Sequence, residues 1–193
     1  ITSGLPMRSA EQKLETALFS LKTYLDRTGY RGYDPFDALN SPVLRALSLN
    51  NKYLRVAFTQ ILKRFPLNLR PLLFTEKGYN PKGMGLFLSG YTRLFRLYKD
   101  PAYLAAAKDI ADILHELVSP GYTGACWGYN FDWQNTRFLF KRGTPTIVNT
   151  SFIANAFLDL YEVTSDTAFL NTAEESCMFI MEDINRTYIG DHF

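Results

Sequence analysis

The sequence predicts an all-α fold built from repeated antiparallel helical hairpins, and three observations carry that expectation. Gly-Tyr followed by Asp or Asn occurs three times, at Gly32-Tyr33-Asp34, Gly78-Tyr79-Asn80 and Gly128-Tyr129-Asn130, each in a turn-rich stretch. An aromatic-Leu-x-x-Ala pattern follows each copy, beginning at Tyr53, Tyr103 and Phe169, with offsets of 50 and 66 residues. Between these marks apolar residues recur every three or four positions, the stripe of a helix with one buried face. Self-similarity at such periods marks a helical repeat.

The elements follow in order. An amphipathic helix over about 9–27 leads. Ser41-Pro42 opens a short segment to about Leu49, Asn50-Asn51 breaks it, and a helix runs from Lys52 to about Arg64. From Met84 to Tyr98 the stripe is Leu86, Phe87, Gly90, Tyr91, Leu94, Phe95 and Tyr98. Lys99-Asp100-Pro101 ends it, with Asp100 placed as an N-cap and Pro101 at the first helical position of a helix through Leu104, Ala107, Ile110, Ala111 and Leu114. The third copy runs from about Thr146 to Val163, and Thr164-Ser165-Asp166 starts a last helix through Phe169, Leu170, Ala173, Cys177 and Ile180. The first helix of each pair is expected to be the more buried, its sequence being the more apolar in the second and third copies.

Loop length sets the expected topology. Tight turns join the helices within a pair, whereas the connections over about 28–41, 65–83 and 119–145 are long and rich in Gly, Pro, Asn and aromatics. Alternation of short and long connections places the long loops on one rim and the turns near Asn50-Asn51, Asp100 and Asp166 on the other. Long structureless loops are uncommon unless functional, so the Gly-Tyr rim is the expected working face.

Bulk properties exclude more than they identify. A chain of 193 residues, 47% hydrophobic, with a formal charge of +2, buries a core but has no electrostatic footprint for nucleic acid or an anionic membrane. No apolar run approaches the roughly 20 residues of a membrane span, and the first residues lack the layout of a signal peptide. Cys126 and Cys177 form neither a disulfide framework nor a metal set, so a reducing, cytoplasmic compartment and no cofactor are expected. His115 falls within a helix and His192 at the chain end, which leaves no material for a His-based triad or metal centre. Lys82-Gly83-Met84-Gly85 lacks phosphate-loop spacing, and its glycines are read as close-packing positions. Asn149-Thr150-Ser151 and Asn185-Arg186-Thr187 match the glycosylation sequon, a tripeptide common by chance.

Short-turn helical pairs with Asp-x-x-[Tyr/Phe]-Leu-x-x-Ala, alternating with long aromatic loops, resemble the (α/α)6-toroid, six-hairpin glycosidase superfamily. The strings over 32–37 (Gly-Tyr-Asp-Pro-Phe-Asp), 79–87 (Tyr-Asn-Pro-Lys-Gly-Met-Gly-Leu-Phe) and 126–134 (Cys-Trp-Gly-Tyr-Asn-Phe-Asp-Trp-Gln) are similar to an uncharacterised microbial branch associated with polysaccharide biosynthesis. The resemblance implies a single toroid domain over 1–193, with three pairs and a leading helix where such toroids close with six. It therefore implies a missing C-terminal half, or self-association through exposed helix faces.

The loops carry the candidate chemistry. Trp127 and Trp133, with Tyr129, Asn130 and Asp132 between them, offer flat faces and polar groups of the kind a saccharide ligand requires; the alternative is that Trp127, Tyr129 and Phe131 plug the interior beneath the loop. Asp34, Asp37 and Asp132 are the candidate catalytic carboxylates for glycoside hydrolysis, and equally ordinary turn and cap residues. Tyr33, Tyr79, Asn80, Lys82, Trp127, Tyr129, Asn130, Trp133 and Asn149 form the candidate substrate-binding set. Arg70, Lys82 and Arg137 are candidates for a uronate or phosphate group. Lyases of the superfamily pair Tyr with His, Asn or Arg, and terpenoid cyclases use an Asp-rich run that is not in this sequence. The expected function is a glycosidase or lyase acting on a polysaccharide; the alternative is a non-catalytic glycan-binding or scaffold protein.

Overall fold

The computed structural model describes residues 10–184, so the sequon at Asn185 and His192 lie outside the described residues. The described chain is mostly helical: α1 (Ala10–Thr28), α2 (Pro42–Leu47), α3 (Lys52–Arg64), α4 (Pro81–Tyr98), α5 (Pro101–Glu116), α6 (Ile147–Thr164) and α7 (Thr167–Glu182). A 3-10 turn spans Asp37–Asn40, and a two-residue antiparallel ribbon pairs β1 (Trp133–Gln134) with β2 (Leu139–Phe140).

Helix starts follow local chemistry. The side chains of Ser41, Asn51, Asn80, Asp100, Thr146 and Asp166 each accept a backbone N–H of the first turn, and Pro42, Pro81 and Pro101 stand just inside. Lys99 and Ser165 end α4 and α6 in the left-handed conformation, with φ of 57° and 56°, which reverses the chain within two residues.

Packing concentrates in the C-terminal half, where α4 contacts both α5 and α6, and α6 contacts α7. The shared core holds Met84, Leu88, Ile110, Leu114, Ile153, Phe157, Leu160 and Phe169 around the fully buried Trp127. α4 and α6 approach closely at Gly85, where a β-carbon would sit 2.8 Å from Ile153 Cγ1. Six residues of α4 are buried against four of α5, and seven of α6 against five of α7.

Two expected stripes are rotated. On α4 the buried face is Met84, Gly85, Leu88, Tyr91 and Thr92, while Leu86, Gly90 and Tyr98 are exposed. Gly85 favours this face, because its missing β-carbon leaves room for Ile153 of α6. On α7 Phe179 and Ser176 point inward and Cys177 is exposed, since a shift of one residue buries the larger ring.

The first pair departs from the expected layout. α2 has six residues, and the start of α3 lies against the ribbon, with Arg55 Nη1 donating to Gln134 Oε1 at 3.4 Å. The Asn50-Asn51 turn therefore sits by the third long loop, not on an opposite rim. Its small cluster of Ala38, Leu44 and Leu62 cannot fill a helix-pair core.

Candidate functional site

The three long loops meet. Gly32 and Gly78 exchange backbone hydrogen bonds at 3.0 and 3.1 Å, and Gly128 forms a bridge with Pro145. At Gly128 a β-carbon would stand 2.3 Å from the Thr144 carbonyl oxygen, which is why the third Gly-Tyr needs its glycine. Across the loops Asn80 Nδ2 donates to Asp34 Oδ2 at 2.9 Å, and Asn40 Nδ2 donates to the Asn130 carbonyl at 3.2 Å.

These contacts close a cleft of about 280 Å³ lined by Asp34, Asn80, Lys82, Tyr129 and Trp133, together with Pro35, Phe36 and Phe131. Five of the expected residues thus come together from loops distant in sequence. Trp133 stacks on Phe140 at 5.6 Å and meets Tyr129 edge-on at 6.4 Å, while Tyr129 stacks on Phe131 at 5.2 Å. The ribbon and these stacks hold the aromatic wall, so the rings need little reorganisation to receive a flat apolar ligand face. Lys82 Nζ lies 4.6 Å from the Phe152 ring centre, at the first turn of α4. Burial pushes the Tyr129 hydroxyl above its ordinary range and the charge of Asp34 adds to it, so the phenol stays protonated at neutral pH.

Other expected residues serve structure. Trp127 is fully buried; its indole N–H donates to the Leu114 carbonyl at 2.7 Å and its ring stacks on Phe157, so it is the interior plug and no sugar platform. Asn149 is fully buried on the inner face of α6, out of reach of ligand and of glycosylation, with neither amide atom partnered. Such an orphan amide costs about 1–3 kcal/mol unless internal water meets it.

Asp37 is 2% exposed and pairs with Arg70, whose Nε donates to Oδ1 at 2.7 Å; the Asp34 N–H donates to Oδ2 at 3.0 Å. Burial pushes the Asp37 carboxyl up, against the opposing pull of Arg70 and the Asp34 amide. It does not line the cleft, and Arg70, which also donates to the Asp34 carbonyl at 2.8 Å, is consumed by these contacts. Asp132 accepts the Arg142 N–H at 2.8 Å and the Lys141 ammonium at 3.3 Å, tying the ribbon's two flanks together outside the cleft. Of the three candidate catalytic carboxylates, Asp34 alone faces the cleft.

Tyr33 and Asn130 line a neighbouring recess of about 140 Å³ shared with Asp34 and Asn80. Tyr79 packs on the core under the Arg31 guanidinium, 4.9 Å from its ring centre. Arg137 is exposed on the ribbon turn. Phe36, buttressed by Lys63 Nζ at 4.2 Å, was not singled out by sequence reasoning; its place in Gly-Tyr-Asp-Pro-Phe-Asp was the available signal.

Among the described residues no His, Cys, Asp and Glu group is arranged to hold a metal ion, and no helix is long and apolar enough to cross a membrane. The sequence matches no protein-family model and no curated protein.

Proposed function

We propose that the chain is a glycan-binding, non-catalytic part of a six-hairpin-type (α/α) toroid, holding a saccharide in the cleft between Asp34, Lys82 and Trp133. The observation that carries this reading is the convergence of a preorganised Tyr129–Trp133 wall with Asp34, Asn80 and Lys82, drawn from three loops. An aromatic face takes a sugar's C–H surface, and the carboxylate, amide and ammonium take its hydroxyl rim. The toroid part rests on two packed helix pairs whose first helices expose Leu86, Leu97, Phe152 and Leu158, a face that another copy or further helices of the same kind would cover.

Binding is favoured over glycosidase chemistry for a physical reason. Glycoside hydrolysis needs two carboxyl groups flanking the bond, and among the described residues the cleft holds one, Asp34.

Calorimetric titration with a panel of oligosaccharides tests the reading. Trp133→Ala should weaken binding about tenfold or more and lower the melting temperature only modestly, because the ring stacks on the cleft wall rather than in the core. A saccharide panel that never binds, or equal affinity in Trp133→Ala, removes the proposal. Turnover of a bound saccharide that disappears in Asp34→Asn replaces binding by catalysis.

A further inference from the structure

A second recess lies beside the cleft and has different chemistry. It encloses about 320 Å³ and its wall carries Arg45, Lys77 and Arg142, with one carboxylate, Glu76, and the amides of Asn40 and Asn130. Among the described residues none of the three cations is in an ion pair. They come from three separate segments, so no helix periodicity or single loop accounts for their meeting.

One of them is held in place by its own side chain. Arg45 donates from Nε and Nη2 to the Leu39 carbonyl at 3.1 and 2.8 Å, which fixes the guanidinium plane and leaves its other N–H donors unspent. The Arg142 backbone N–H donates to Asp132 Oδ1 at 2.8 Å, so the carboxylate expected to be catalytic anchors the main chain from which the exposed guanidinium extends. Lys77 Nζ lies 5.5 Å from the Tyr33 ring centre. Converging cations in a concave wall raise the local anion concentration and suit oxygen atoms that share a negative charge.

The recess adjoins the saccharide cleft. Asn130 stands on its wall, while the flanking Tyr129 and Phe131 line the cleft, and the small cavity bounded by Gly78, Asn80, Asp34 and Asn130 lies between. We infer that this recess binds an oxyanion group, a carboxylate, phosphate or sulfate, and, resting on the saccharide reading above, that the glycan held in the cleft is an acidic one.

The test uses the whole chain and three probes: an oligogalacturonide, the same oligosaccharide as its neutral methyl ester, and inorganic phosphate. Titrations compare the parent with Arg142→Gln and Lys77→Gln, both exposed positions whose folding is checked by thermal melting. The acid should bind at least about tenfold tighter than the ester, with a marked salt dependence. Each substitution should remove about tenfold of the acid's affinity and leave the ester's unchanged. Equal affinity for acid and ester, unaltered in both variants, overturns the acidic-ligand inference and leaves the saccharide reading standing. Phosphate binding lost in Arg142→Gln, with neither these two saccharides nor any member of the oligosaccharide panel bound, supports the anion site and removes the saccharide reading. Failure of all three probes overturns the anion site and the acidic-ligand inference, and failure of the oligosaccharide panel as well overturns both readings.

Discussion

The same aromatic-Leu-x-x-Ala pattern has opposite fates in the two halves of the molecule. In α7 Phe169 and Ala173 are buried, and in α5 Ala107 is fully enclosed, whereas in α3 Tyr53 is 70% exposed and Ala57 faces solvent. The local chemistry of the three starts is alike, an Asn or Asp cap in each case. What differs is the partner. α5 and α7 each lie along a long apolar helix, while α3 meets the six-residue α2 and the edge of the ribbon.

The two halves are accordingly held by different forces. The C-terminal half closes on an apolar core around Trp127. The N-terminal half relies on directed polar bonds: Asp37 to Arg70, Arg70 to the Asp34 carbonyl, Ser41 Oγ to the Leu73 carbonyl at 2.7 Å, and Arg45 to the Leu39 carbonyl. A repeated motif fixes a helix start, and only a neighbour of sufficient length turns it into a core contact.

Three pairs of substitutions sharpen or break this contrast, the largest effect first. Gly128→Ala forces a methyl group onto the Thr144 carbonyl and should cost about 4 kcal/mol or more, whereas Gly32→Ala, with open space at its β-carbon, should cost about 1 kcal/mol or less. Urea denaturation of both variants measures the difference; similar midpoints would show that the third loop yields where the close approach is required. Next, Phe169→Ala should lose about 3 kcal/mol and Tyr53→Ala within about 0.5 kcal/mol, as core truncation and surface change do. Equal losses would mean that α3 has a partner surface comparable to that of α7.

The third concerns the polar half. Asp37→Asn should destabilise by about 3 kcal/mol because it leaves the Arg70 guanidinium, 12% exposed, without its counter-charge. Adding Arg70→Met should restore part of that loss. A double variant no more stable than Asp37→Asn alone would show that Arg70 acts through packing on the Tyr33 ring, whose centre is 5.7 Å from its guanidinium carbon, rather than through charge.

Sequence alone determined most helix starts and the tight turns, because Ser41, Asn51, Asp100, Thr146 and Asp166 act on backbone groups two or three residues away; Asn80, expected only as a ligand contact, caps α4 at Pro81, three residues before the expected start at Met84. It also marked the loops that meet at Asp34, Asn80, Tyr129 and Trp133, since Gly-Tyr-Asp and Gly-Tyr-Asn signal turns wherever they fall. Which of two apolar faces a helix buries was decided by tertiary structure: α4 carries apolar residues on both, and Gly85 against Ile153 favours one. The same holds for Trp127 and Trp133, six residues apart in one aromatic string. One plugs the core through a bond to Leu114 and the other stands on the cleft wall through a stack on Phe140. Composition gives both rings the same hydrophobic drive. Their separate fates, like the meeting of Arg45, Lys77 and Arg142, depend on contacts between residues far apart in the chain, which no local pattern encodes.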